Sequence, residues 1–567
     1  VFLVPVLWTP LLADGSKLKY RYVSLCAFIF WLVSISWISS PHPAAILGLV
    51  VLSGYLSLYW LLFFVSARSA IHLLRIPIMV AAPLCWIGCE FLRNILLGGF
   101  SFCSIEHLLF ANPILIQIAD LGGGYFVGGM IMSVGTGIGT IILKFIANKN
   151  DTSCRYAIVQ NNRKGIFVTI ICTLLIISAV IFYGYLTIAK ASNPFEKQSA
   201  DSRNNLTLKI AALQGNSPVS ITMTDQQLID CFKQYIGLMR TAVHENNGEG
   251  LDLIIFPETV CPLPYVVFEN GATYESQGWD PRWANWFEEA RRQLLNFSVE
   301  VNSPILYGIS TTLVNKGNDD KNTESKPLRL NSALLVNPRP PEIKARYDKI
   351  QLVMFGEYVP FADYLPENFP LRSICQEAGR GKNPVAMPIK DGIDAKAILK
   401  FTELNTQAQQ RGAVVQGRSL SPIPATVYAS VNICFESTVP HHVRGQILSL
   451  QKSGQNPALL INISNSGWFN FTNQIEQHLA THVFRAVENR RPYVTATNSG
   501  YSATINCYGQ ITKIGKRKSA EPVIDQLAIK YWTPLYHYVG DVPAIICTII
   551  MLAFVLYAYR IAKVKNQ

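Results

Sequence analysis

Residues 165–188, GIFVTIICTLLIISAVIFYGYLTI, contain no charged side chain. Such a segment suits only a deep protein core or the hydrocarbon of a bilayer, which a helix of about 20 apolar residues can cross. Runs near 22–40, 43–67, 76–98, 120–147 and 543–560 have the same character. Residues 1–12, VFLVPVLWTPLL, read as the tail of one more. Repetition on this scale selects the bilayer. The chain begins at Val1 inside an apolar run, so a first helix is expected to be missing ahead of it. A cleaved signal peptide is the other reading, but no polar mature N-terminus follows.

Only 15% of the 567 residues are charged, against about 25% in soluble domains. The deficit is local. Apolar runs crowd residues 22–190, whereas 200–530 has the mixed composition of a soluble domain large enough to bury its own core. The net charge of +12 does not indicate nucleic acid. No basic stripe is interleaved with aromatics, and much of the Lys and Arg lies in short loops between apolar runs. Lys17, Lys19 and Arg21 follow the first run, Arg68 and Arg75 the span 43–67, and Lys149, Arg155, Arg163 and Lys164 the span 120–147. Arg560, Lys563 and Lys565 close the chain. These loops alternate so that all can face the cytoplasm. The expectation is a helix bundle over 1–190, an extracytoplasmic domain over 205–530 and a returning helix over 540–562. Within the bundle, Glu90 and Arg93 stand one turn apart and Asp120 precedes another span. Intramembrane charges are costly and often functional. The structural alternative is an i,i+3 ion pair and an N-cap aspartate.

In the outer segment, apolar strands are predicted at 206–216, 250–260, 303–310, 331–337, 425–436 and 456–465. Residues 491–506 read as two strands around Asn498-Ser499-Gly500, a hairpin signal. Amphipathic helices are predicted at 226–245, 281–297 and 475–490. This alternation indicates an α/β domain with mixed sheets between helix layers. NKGNDDKNTESKPLR (315–329) is a polar surface loop, and most of 366–425 reads as a long loop of the kind that forms lids.

The twelve cysteines include no CxxC pair and no zinc spacing, so neither a disulfide scaffold nor a structural metal is indicated. Residues 200–530 hold five: Cys231, Cys261, Cys375, Cys434 and Cys507. At least one of these is therefore unpaired. Three reactive side chains stand near strand ends: Glu258 in FPET, Lys349 in RYDKIQLVMFGEYVPF, which also carries Glu357, and Cys434 in NICFE. A thiol needs deprotonation to become a nucleophile. A carboxylate can take the proton. An ammonium, with the backbone N–H after the nucleophile, can hold the resulting oxyanion. Singly, each motif reads as a buried cysteine, a turn or a loop. Together they make an acyl-transfer set without histidine.

FPET, DK…FGEYVPF, ICFE and SNSGWF (464–469), in this order, resemble the nitrilase, or carbon-nitrogen hydrolase, superfamily. With the membrane bundle, WIGCEFLRN, PILIQIADLGG, LQGNSP, RAVENRRPYVTATNSG and GDVP extend the resemblance to the bacterial apolipoprotein N-acyltransferase family over nearly the whole chain. The resemblance implies a multi-span α-helical bundle plus a nitrilase-like αββα sandwich. It implies Glu258 as general base, Lys349 as stabiliser of the tetrahedral intermediate and Cys434 as the thioester-forming nucleophile. It implies supporting or substrate-binding roles for Glu357, Phe435, Glu436, Asn465 and Trp468. The implied reaction is ping-pong, with no cofactor and no metal. A phospholipid, commonly phosphatidylethanolamine, acylates the cysteine, and the α-amino group of a diacylglyceryl-cysteine on an apolipoprotein takes the chain. The implied setting is a monomer in the inner membrane with its catalytic domain in the periplasm, and no nucleic-acid partner. The chain departs from the family pattern at Phe435, where Tyr is common, at Met223, where Trp is common, and in the length of 366–425. The competing readings are a membrane-tethered amidase or nitrilase and a catalytically inactive lipid-binding scaffold.

Overall fold

The computed structural model describes residues 1–566 without 17, 44, 147–162, 193–205, 221–222, 275–278, 316–326, 355, 360–363, 365, 367–377, 392–425, 470–471 and 531. The amino-terminal helices are α1 (Leu3–Ala13), α2 (Tyr20–Ser34), α3 (Ala45–His72), α4 (Ile78–Ile95), α5 (Gly124–Ile146) and α6 (Arg163–Ser192). Helices α3 to α6 and the C-terminal helix Val542–Asn566 are long and apolar enough to cross a membrane. The run 22–40 is not one helix. It ends at Ser34 and continues as a short 3-10 turn, Ser36–Ser39, where the Ser39 hydroxyl donates to Ser36 O.

Helix α5 lies at the centre and touches α1, α4 and α6, while the C-terminal helix returns against α3 and α4. Small residues permit this, because in lipid helices associate through close packing rather than hydrophobic exclusion. A Cβ on Gly135 would stand 2.2 Å from the ring of Pro5 on α1. Arg68 is not a free loop charge. It is buried on α3 and donates to Leu11 O and Ser16 O, capping the end of α1.

The segment between α6 and the C-terminal helix forms two stacked sheets. The first holds β1 (Thr207–Gln214), β2 (Leu253–Ile255), β3 (Cys261–Glu269), β4 (Ile305–Asn315), β5 (Leu328–Pro338), β6 (Pro341–Asp348) and β13 (Glu521–Ala528). Its order is β13-β1-β2-β4-β5-β6, with β3 also paired to β4. The second is β12-β11-β10-β9-β8-β7, built from β7 (Ala386–Asp391), β8 (Thr426–Ile433), β9 (Pro457–Ser464), β10 (Tyr493–Thr497), β11 (Ala503–Ile505) and β12 (Ile511–Ile514). Side-chain alternation builds the layers. Leu208, Ile210 and Ala212 of β1 meet Val431, Ile433, Ile461 and Ile463 between the sheets. Ala211 and Leu213 turn the other way, onto α7 (Asp225–Glu245), whose layer includes α8 (Pro281–Val301). The second sheet is covered by α9 (Pro440–Lys452) and α10 (Gln474–Asn489). The αββα sandwich and the hairpin at Asn498–Gly500 are therefore as expected. Strand β7 is not, because it falls inside the segment read as loop. Met387 and Ile389 point into the inter-sheet core, and Pro388 is tolerated because β7 is an edge strand with a bulge beside it.

Layer α9–α10 shares one continuous apolar core with the bundle: Val483, Phe484 and Val487 pack with Ile105, Ile116 and Val127. At the end of α10, Arg490 adopts a left-handed backbone (φ +49°) and its side chain enters the bundle. It bonds Asp120 Oδ2 at 2.7 and 3.0 Å and Gln117 Oε1 at 2.6 Å. Asp120 is thus not an N-cap but the bundle's partner for Arg490, with its second oxygen held by Tyr183. Glu90 and Arg93 do form the expected i,i+3 pair, which also fixes Ser104 and Phe102 O. Arg490→Met leaves Asp120 buried and uncompensated, which should cost about 3–5 kcal/mol. The measurement is the unfolding midpoint of the detergent-solubilised chain. Arg490→Met with Asp120→Leu should recover most of the loss, and a single variant as stable as the parent would refute the anchor.

Candidate active site

Strands β2 and β3 run along the same edge of β4, parallel to it, and the FPET turn separates them. Pro257 has no N–H to give a ladder, so the strand breaks there and Glu258 leaves the sheet. A Cβ on Gly308 of β4 would meet Pro257 O at 2.0 Å, so this turn lies directly on the neighbouring strand. Lys349 follows the last residue of β6, and its N–H donates to Asn331 O. Cys434 follows the last residue of β8 and opens a 3-10 turn, Cys434–Thr438, with φ at +53°. That left-handed conformation costs a non-glycine residue about 1–3 kcal/mol. Two residues thus come from the first sheet and one from the second.

The three side chains meet. Lys349 Nζ lies 3.5 Å from Glu258 Oε1 and bonds Glu357 Oε1 at 2.7 Å. Glu357 Oε2 in turn accepts the Val353 N–H. Glu258 Oε1 accepts from Asn331 Nδ2 at 2.7 Å, and Oε2 from the Asn465 N–H at 3.0 Å. Burial raises the pKa of Glu258, and Lys349, Asn331 and the Asn465 N–H counter it. For Lys349, burial works to lower the pKa, but Glu357, Glu258 and Cys434 outweigh it and hold the ammonium charged. The Cys434 thiol is pushed up to about 12, first by burial and then by Glu258, with Lys349 opposing. The resting site is therefore a thiol beside a carboxylate and an ammonium, not a thiolate pair.

Glu436 stands behind the site rather than in it. Its buried carboxylate accepts from the N–H groups of Ile350, Gln351 and Ile433 and from Tyr347 Oη. Phe435 turns toward the bundle, 6.3 Å from the ring of Phe102. Asn465 contributes its backbone to Glu258, while its side chain bonds Gly467 N and Asn498. Trp468 is half-buried in the short turn Ser466–Phe469, and Met223 is half-buried as well. The lid expected over the site falls largely on 367–377 and 392–425, outside the described residues, as does Cys375. Cys231, Cys261, Cys434 and Cys507 are free thiols. Sequence reasoning missed Asn331, Tyr347, Ser437, Asn462 and His478. Asn331 and Asn462 were detectable as amides interrupting apolar strands; the others carry no local signal.

A thiol with its pKa near 12 is almost fully protonated at neutral pH. In the parent protein, iodoacetamide labelling of Cys434 should keep rising with pH beyond about pH 9, where an ordinary thiol saturates. A plateau below that value would show a preformed thiolate and overturn the assignment.

Residues 1–137 match the apolipoprotein N-acyltransferase N-terminal domain, and residues 209–535 match the carbon-nitrogen hydrolase family. The chain is 26% identical to an apolipoprotein N-acyltransferase of Geobacter metallireducens, covering 87% of this chain and 76% of the relative. It is 24% identical to one from Rhodopirellula baltica, covering 96% and 90%. A solved amidase of the nitrilase superfamily from Nesterenkonia aligns at 13% identity and TM-score 0.32, over 59% of this chain and 93% of that one. The second match alone spans more than half of the sequence: the chain belongs to the carbon-nitrogen hydrolase family and carries the N-terminal membrane domain of the apolipoprotein N-acyltransferases ahead of it.

Proposed function

We propose that this bacterial membrane protein is an apolipoprotein N-acyltransferase that moves an acyl chain from a phospholipid, through a thioester on Cys434, to the α-amino group of a diacylglyceryl-cysteine. The observation that carries the reading is the convergence of Glu258, Lys349 and Cys434 in a domain whose helix layer shares its core with the bundle. Both substrates are lipids, so chemistry at a membrane surface requires such a fusion. A soluble amide or nitrile does not, which disfavours a tethered hydrolase. A scaffold would have no need to keep a charged lysine and a glutamate buried beside a thiol.

In the first half-reaction Glu258 takes the Sγ proton as sulfur attacks the ester carbonyl. The oxyanion faces Lys349 Nζ and the Phe435 N–H. Collapse breaks the ester C–O bond, and Glu258 returns the proton to the leaving lysophospholipid oxygen. In the second, the neutral amine attacks the thioester, Glu258 accepts the amine proton, and Cys434 leaves to be reprotonated. Glu357 holds Lys349, and Glu436 braces the strand ends. The basic loops support a cytoplasmic-membrane topology with the catalytic domain outside, in the periplasm.

Purified protein incubated with phosphatidylethanolamine and a diacylglyceryl lipopeptide should yield N-acylated peptide by mass spectrometry. Cys434→Ser should form no acyl-enzyme, and Glu258→Gln should lose its formation. Loss of Lys349 as a donor (Lys349→Met) should lower turnover by about 10²–10³. Free fatty acid without acylated peptide would favour the hydrolase, and an adduct on Cys261 or Cys507 would sink the nucleophile assignment. On intact cells, an impermeant maleimide should label Cys434 from outside; labelling only in inverted vesicles would reverse the topology.

A further inference from the structure

The main-chain carbonyl of Cys434 is unusually well held. Asn462 Nδ2 of β9 donates to it at 3.0 Å and Ser437 Oγ at 3.0 Å, and His478 Nε2 of α10 lies 3.3 Å away. Ser437 Oγ also stands 3.0 Å from both His478 Nε2 and His482 Nε2. A carbonyl can only accept. The network is satisfied when the Ser437 hydrogen goes to that carbonyl, His482 donates from Nε2 to the hydroxyl, and the His478 Nε2–H is shared between the hydroxyl and the carbonyl. Asn462, Ser437, His478 and His482 are all buried. Burial lowers the His478 pKa to about 4 and that of His482 well below its usual value, so both rings are neutral in working conditions.

The peptide between Cys434 and Phe435 is planar and trans, so its N–H points opposite to its C=O. The carbonyl is drawn toward β9 and α10, the membrane-side layers. The N–H is thereby sent the other way, toward the side from which Glu258 and Lys349 approach on the first sheet. We propose that Asn462, Ser437 and His478 form a clamp on the Cys434 carbonyl that aims the Phe435 N–H at the developing oxyanion. This rests on the acyl-transfer reading and adds three positioning residues to it. The same bonds hold Cys434 in its left-handed conformation. His478 also lies 6.0 Å from the ring of Phe102, so the clamp abuts the bundle.

The test separates reactions that do and do not build an oxyanion. Iodoacetamide alkylates sulfur by displacing iodide from a saturated carbon, so no oxyanion forms. Acylation of Cys434 by phosphatidylethanolamine, or by a short-chain p-nitrophenyl ester, does form one. In full-length, detergent-solubilised His478→Leu, acylation should fall about tenfold or more, within the 10²–10³ expected for complete loss of a donor. Alkylation should stay near the parent rate, and His478→Gln, which keeps an N–H at the same reach, should restore acylation. Ser437→Ala should show the same split in a smaller substitution. Parallel loss of alkylation and acylation would mean a merely structural role and overturn the clamp, as would unchanged acylation. If the parent acylates from the activated ester but not from phospholipid, the acyl-donor reading fails while the clamp is still measured.

Discussion

The Glu436 carboxylate is the joint on which the site depends. One oxygen takes the N–H groups of Ile350 and Gln351, at 2.6 and 2.9 Å, immediately after Lys349. The other takes the Ile433 N–H at 2.7 Å, immediately before Cys434. Tyr347 Oη bridges both oxygens and is itself held by Gln446. A buried carboxylate is tolerated only when its lone pairs are filled, and here each is filled by a group whose position matters. The acid therefore fixes the spacing between the ammonium on one sheet and the thiol on the other. It is fully engaged in that task and has no lone pair left to serve as base, which supports Glu258 for that role in the mechanism we propose.

Helix α10 couples this joint to the membrane. Its first half carries His478, against the Cys434 carbonyl, and the residue at its end is Arg490, paired to Asp120. Between them Glu488 accepts the N–H of Gly124 at the start of α5. On the bundle side Arg93 holds Phe102 O, and the Phe102 ring meets both Phe435 and His478. The reactive strand end is thus registered against the bundle by ionic contacts at one end of α10 and aromatic contacts at the other. A long acyl chain needs this, because its ester group lies at a fixed depth in the bilayer and the nucleophile must be held at that depth.

Much of this was legible in the sequence where a local rule applied. Uninterrupted apolar runs gave the long bundle helices, since only a bilayer or a deep protein core accepts them and their repetition selects the bilayer. Short, nearly continuous apolar runs gave β1, β4, β5, β8 and β9, because each strand buries one face between the sheets and the other under helices. Reading 22–40 as one span failed at Ser34, where the helix ends and a 3-10 turn, Ser36–Ser39, follows. Strand β7 was hidden because Pro388 and short length mimic a loop until the edge position is known. The triad motifs could be named, but their meeting depends on partners distant in sequence. Nothing in RYDKI reveals that Tyr347 will hold Glu436, or in EQHLATH that His478 will face a carbonyl.

The raised pKa of Cys434 also bears on its resistance to oxidation. Low-pKa thiolates are the cysteines that oxidants attack first. A thiol held near 12 by burial and a neighbouring carboxylate is shielded while idle. In the mechanism we propose, it becomes a nucleophile only when a carbonyl arrives and Glu258 can take the proton as the C–S bond forms, with Lys349 already charged to receive the oxyanion. The environment that makes the free thiolate unfavourable also excludes water from the thioester, which favours aminolysis over hydrolysis. Burial, left-handed backbone and buried ion cluster are each costly alone. Together they make a site whose thiol reacts slowly while idle and is activated when an acyl donor arrives.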